Sequence, residues 1–183
     1  MSNSQESLKL QQNVAENEYD TLHARILTIL PPRERYEAGH AGAISLLVSR
    51  LASAGDHVAG NGAVGVPLSG GQYRPLVLPR VPLPHAWRLR LACVAMMRSY
   101  QPALTEIHNR PDLARFLARF GPVRLVLHND PCGMRGARSV RQREALARHV
   151  LVCGVSDWVI QRFREGCGPI RIEVQPNCLD LSA

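Results

Sequence analysis

A helix-dominated α+β fold is the class this sequence predicts: an N-terminal helical pair, a long Gly/Pro-rich loop, then C-terminal helices with a small sheet. Three observations predict it. Apolar stripes recur at helical spacing, glycine and proline crowd residues 55–85, and two clear strand-like runs follow that stretch. The length of 183 residues suits one domain with a real core. Hydrophobic residues at 45% and charged ones at 20% exclude wholesale disorder. Aromatics are only 5%, so the core must be built from Leu, Val, Ile and Ala. No apolar run approaches the roughly 18 residues of a membrane helix. The polar start, Met1 to Gln12, carries no signal-peptide pattern.

Residues 4–30 read as the first helix, with Tyr19, Leu22, Ile26, Ile29 and Leu30 on one face and Pro31–Pro32 as the stop. A second helix over about 41–54 carries Ile44, Leu47, Val48 and Leu51 and closes at Gly55. Residues 55–84 form the Gly/Pro-rich connection, and Tyr73–Leu83 suits extended or edge-strand backbone. The N-terminal 1–54 then acts as a helical arm, and 85–183 as a basic α+β unit. Within that unit Trp87, Leu91, Val94 and Ala95 mark a helix to about Tyr100. Pro111 opens a short helix with Leu113, Phe116, Leu117 and Phe120 on one face, and Val123–Leu127 reads as a strand. Ser139 and Gln142 have the form of a capping box, predicting a helix to about Cys153. Ser156 caps another helix ending at Gly166, and Ile170, Ile172 and Val174 alternate as a half-buried strand.

The basic side chains are 21 Arg and one Lys, a skew that fits the coding bias of a GC-rich bacterial genome. Their distribution is more telling. Residues 1–60 carry a net −2 and residues 61–183 a net +9, which favours a polyanionic partner. Five cysteines without a CxxC pair or an export signal read as reduced cytoplasmic thiols. A zinc site from His128, Cys132 and two later cysteines matches no paired ligand spacing, so no metal is expected. No nucleotide-loop motif is present, and no cofactor is expected.

The segment 140–165 places a helix, then Cys153-Gly154-Val155-Ser156, then a second helix with Ile160 and Arg162. This resembles the helix-turn-helix of bacterial DNA-binding regulators. The resemblance implies a glycine that reverses the chain, a serine that caps the second helix, and Val150, Val155 and Ile160 as the packed corner. Ser156, Gln161, Arg162 and Arg164 would then face a major groove. Arg135, Arg138, Arg141, Arg143 and Arg148 would hold phosphates.

A second pattern overlaps the first. Cys132 to Ser139 fits Cys-x5-Arg-Ser, which resembles the phosphate loop of cysteine-dependent phosphatases. That resemblance implies Cys132 as nucleophile, Arg138 holding phosphoryl oxygens, and Asp112 or Asp130 as proton donor.

The leading expectation is therefore a cytoplasmic DNA-binding transcriptional regulator, of plasmid or phage type, acting on double-stranded DNA by occupancy without catalysis. The N-terminal helices would supply a homodimer or protein-partner interface, and no membrane is involved. The alternatives are the phosphatase centred on 132–138 and a non-enzymatic accessory protein for an acidic protein partner.

Overall fold

The computed structural model describes residues 25–62 and 65–176. Seven strands, β1 (Ile26–Ile29), β2 (His57–Asn61), β3 (Gln72–Leu76), β4 (Leu104–His108), β5 (Val123–Leu127), β6 (Leu151–Gly154) and β7 (Glu173–Val174), make one sheet. Its order is β3-β2-β1-β4-β5-β6-β7, and every pairing is parallel. Five helices connect the strands: α1 (Ala43–Leu51), α2 (His85–Tyr100), α3 (Pro111–Leu117), α4 (Val140–Ala147) and α5 (Asp157–Arg164). This is a Rossmann-like α/β fold, and it corrects the helix-dominated α+β expectation with its small sheet.

Each missed strand has a physical reason. Ile26–Ile29 was assigned to the end of the first helix because its residues continue a helical stripe. It is a central strand, so Leu27 and Ile29 enter one core while Leu30, just beyond it, enters the other. Tyr19 and Leu22 lie outside the described residues. The Gly/Pro-rich stretch hides β2, whereas β3 overlaps the Tyr73–Leu83 stretch expected to be extended or edge-strand backbone. Pro75 is tolerated in β3 because that strand is at the sheet edge and pairs only with β2 among the described strands. Thr105 and Glu106 interrupt the apolar pattern of β4, and both are buried.

The fourth correction removes the helix-turn-helix. Helix α4 has the Ser139–Gln142 capping box, but it ends at Ala147. Leu151–Gly154 then runs as β6 between β5 and β7. Gly154 does not reverse the chain in a left-handed conformation. It is small because α5 packs on the end of β6, where a Cβ would come within 2.8 Å of Ile160 Cγ1.

The sheet faces carry two cores. Leu27, Ile29, Ile107, Leu125 and Val152 pack with residues of α2, α3, α4 and α5, including Met97, Leu113, Leu146 and Phe163. On the other face Leu30, Tyr36, Val48 and Val58 form a smaller core beneath α1. Asp56 ties the amino ends together, accepting from Ile26 N–H and Ser53 N–H, each at 2.8 Å.

Arg143 fastens α4 and α5 to the loop before them. Its guanidinium is buried and donates to the carbonyls of Phe163 at 2.8 Å, Ala137 at 3.1 Å and Arg138 at 3.3 Å, and also to Glu165. Two of those carbonyls end α5, where the helix dipole favours a cation. Arg143→Met should lower unfolding free energy by about 2–4 kcal/mol, because it strands buried carbonyls. Urea titration with an unchanged m-value would measure it; a loss below about 1 kcal/mol would contradict the role. Gly154→Ala should cost about 1–3 kcal/mol in the same assay, by overpacking against Ile160.

Candidate functional site

In a parallel sheet of this order the chain leaves β1 toward one edge and returns to β4 toward the other. The loops after β1 and β4 therefore diverge and leave a crevice at the carboxyl ends, where ligands of such sheets bind. Side chains of β4 and β5 make a continuous hydrogen-bonded line that runs from the body of the sheet to that edge. Arg124 Nε donates to Glu106 Oε2 at 2.7 Å, across the paired register of β4 and β5. Glu106 Oε1 meets His108 Nε2 at 2.9 Å, and His108 Nδ1 meets His128 Nε2 at 2.9 Å. Asn109 Oδ1 accepts from the His128 backbone N–H at 2.8 Å and fixes where the line ends.

Local sequence explains the placement. Glu106 and His108 are two apart on β4 and so share a face, the one opposite Ile107. Val123–Leu127 supplies a buried neighbour that carries His128 to the same edge. Asn109 takes the left-handed conformation, φ 52, which turns the chain from β4 into α3.

The electrostatics are directional. Burial pushes the Glu106 carboxyl up, but hydrogen bonds and charge from His108 and Arg124 outweigh it and hold the group below its ordinary value. Burial, with the charge of His108, pulls the His128 imidazole down to about 4. At neutral pH the ionised Glu106 only accepts, so His108 Nε2 carries a hydrogen.

The first turn of α1 is also anion-lined. Glu34 Oε2 accepts from Ser45 N–H at 3.1 Å and from Ser45 Oγ at 2.9 Å. A Cβ on Gly42 would lie 2.5 Å from that oxygen.

The residues singled out from sequence are dispersed. Ser156 caps α5 by accepting from Val159 N–H. Arg162 donates to Asp130 Oδ2 from Nη2 at 3.0 Å and pairs with Glu165. That guanidinium, and the Cys132 N–H, hold the Asp130 carboxyl below its ordinary value. Arg164 Nη2 reaches the Ile172 carbonyl at 3.2 Å, and Arg143 is the internal clamp. Gln161, Arg135, Arg138, Arg141 and Arg148 are exposed. The Cys-x5-Arg segment does not close around an anion. Cys132 sits in a 3-10 turn (Pro131–Gly133) with Sγ donating to the Arg162 carbonyl at 3.5 Å. Gly136 instead presses on α3, where a Cβ would lie 2.8 Å from Asp112 N. Asp112 itself is paired with Arg90 and Arg110. No group of three or more metal-ligating side chains occurs among the described residues. Nothing in the sequence motifs pairs His108 with His128; the signal that links them is an acid and a histidine two apart in a buried run, followed by a histidine at the end of the next strand.

The sequence matches no protein-family model and no curated protein. Two solved structures share the fold. One is the crystal structure of Anabaena Alr3699/HepE in complex with UDP and glucose, with a TM-score of 0.60 at 15% identity over 87% of this chain and 46% of that one. The other is the same protein in complex with UDP-glucose, with a TM-score of 0.57 at 16% identity over 86% of this chain and 45% of that one. This chain spans about half the length of the structures it resembles.

Together with the strand between α4 and α5, these findings overturn the DNA-binding regulator and its double-stranded DNA partner: the neighbours hold UDP and UDP-glucose. The phosphatase and accessory-protein alternatives gain no support. The stripe meant for a dimer or partner interface divides between β1 and residues outside the described chain. Helix α1 covers the smaller core. No helix among the described residues is long and apolar enough to cross a membrane.

The depressed His128 value sets a pH dependence. Between about 6.5 and about 4 the unfolded imidazole binds a proton that the folded one refuses, so stability falls as pH falls. Glu106 acts in the same direction, losing its contribution as acid protonates it. Because the His128 ring is partly solvated, roughly 1–2 kcal/mol should be lost to His128 between pH 7 and 4.5. Urea titrations of wild type and His128→Gln across that range check this, and the variant should show the flatter dependence.

Proposed function

We propose that this chain forms an α/β lobe that handles a nucleotide sugar of the UDP-hexose class, bound at the carboxyl ends of β1, β4 and β5. One observation carries the reading: the Glu106–His108–His128 line ends at the carboxyl edge beside the place where the strand order reverses. The ligands of the structural neighbours, UDP with glucose and UDP-glucose, support that ligand class.

The chemistry follows from the outer end of the line. The His128 imidazole, held against the carboxylate-backed His108, suits a sugar hydroxyl as hydrogen-bond partner. In glycosyl transfer that hydroxyl oxygen, oriented by His128, bonds the anomeric carbon and its proton passes to the departing diphosphate. The sugar–phosphate bond breaks, and the nucleoside diphosphate leaves with the electron pair. Glu106 positions His108, while Arg124 helps to keep Glu106 ionised. Asn109 holds the His128 backbone.

Calorimetric titration of the chain with UDP, glucose and UDP-glucose tests the reading. Saturable binding of at least one is expected with Kd below about 1 mM. His128→Ala, shown by circular dichroism to be folded, should weaken it at least fivefold. Absence of saturable binding by all three would sink the proposal.

A further inference from the structure

The outer surface of α2 and α3 carries large apolar side chains that serve neither core. Trp87 and Leu91, one turn apart, are 47% and 41% exposed, and Phe120, just beyond α3, is 42% exposed. Trp87 meets Phe116 edge-on with centroids 5.9 Å apart, and Phe116 packs on Phe120 at 5.5 Å, so the rings are contiguous. The approach to α2 continues the surface, with Val77 at 80% exposure and Leu83, one turn before Trp87, at 44%. Arg88 Nε pins this approach by donating to the Pro79 carbonyl at 2.9 Å.

Guanidinium groups edge the rings. The Arg90 guanidinium carbon lies 5.0 Å from the centroids of both Trp87 and Phe116, and that of Arg119 lies 5.7 Å from Phe116. Arg115, one turn before Arg119, is exposed. Carboxylates are missing from the neighbouring sequence. From His57 to Thr105 the chain has no Asp or Glu, while it has Arg74, Arg80, Arg88, Arg90 and Arg98. Asp112, the acid at the start of α3, is held by Arg90 and Arg110.

Proteins seldom leave contiguous large apolar side chains in water without a use for them. Tryptophan beside arginine on a helix surface is the composition of the boundary between acyl chains and headgroups. Once the rings enter that boundary, the stacked guanidinium groups lie at the depth of the phosphates. We infer that this face is a peripheral membrane-contact surface and that its partner is a bilayer rich in anionic lipid. Surface contact of this kind needs no spanning helix, so the expectation of no membrane is revised here. The inference does not depend on the nucleotide-sugar reading.

Vesicle sedimentation of the full chain tests it, with phosphatidylcholine alone against an equimolar mixture with phosphatidylglycerol. The chain should sediment with the mixed vesicles, and less so as salt is raised. The double variant Arg115→Glu/Arg119→Glu should lower the partition coefficient at least tenfold, at roughly fivefold per charge removed. Its thermal unfolding must match wild type. The sequence has two tryptophans, so in Trp158→Phe the emission reports Trp87 alone and should shift to the blue on mixed vesicles. Failure to sediment, sedimentation untouched by charge reversal, or an unshifted Trp87 emission would each overturn the inference. Binding to soluble polyglutamate with no vesicle binding would overturn it in favour of an acidic protein.

Discussion

The pairing of one four-residue strand with two others fixes the rest of the molecule. Ile26–Ile29 bonds β2 on one side and β4 on the other, both parallel. Parallel neighbours cannot be joined by a tight turn, so each connection must cross a face of the sheet, and the two directions of travel put helices on opposite faces. Hence α1 covers one core alone while α2 to α5 cover the other. The same reversal opens the crevice where the histidine line emerges. Asp56 guards the arrangement from the amino end by bonding the first N–H of β1.

Arginine has several jobs here, and one surface-charge reading cannot capture them. Arg143 has no carboxylate partner among the described residues; backbone carbonyls satisfy it, which suits a planar group with five donors. Arg124 serves a buried acid, Arg162 locks the turn at Asp130 to α5, and Arg164 reaches the backbone beside β7. Three of the nine residues read as a DNA-contacting set are thus engaged inside the protein's own framework, and Ser156 is a helix cap. The arginines that remain at the surface beside α3 stack on aromatic rings or stand free of acids.

Elements with strong local chemistry were legible in the sequence. The Ser139 capping box, the Ser156 cap, Pro111 at the start of α3 and the apolar run of β5 each sit where their residues predict. The central strands β1 and β6 were not. Each is four residues long and largely buried, and β6 follows α4 after three residues, so β6 reads as a continuation of α4 and β1 as the end of a helix. Proline was informative at Pro75, which suits an edge strand and not a central one, and β3 lies at the edge. The site was illegible for a different reason. Glu106, His108 and His128 acquire meaning only when β4 and β5 are side by side, and no spacing along the chain announces that.

Gly42 and Glu34 show how the β1–α1 connection closes on itself. Glu34 belongs to the same connection that leads into α1, so its concentration beside Ser45 is set by a short tether at millimolar or above. The carboxylate occupies both the Ser45 N–H and its hydroxyl, and the bare Cα of Gly42 leaves the room it needs. A side chain at position 42 would therefore cost the helix its internal counter-charge as well as its packing.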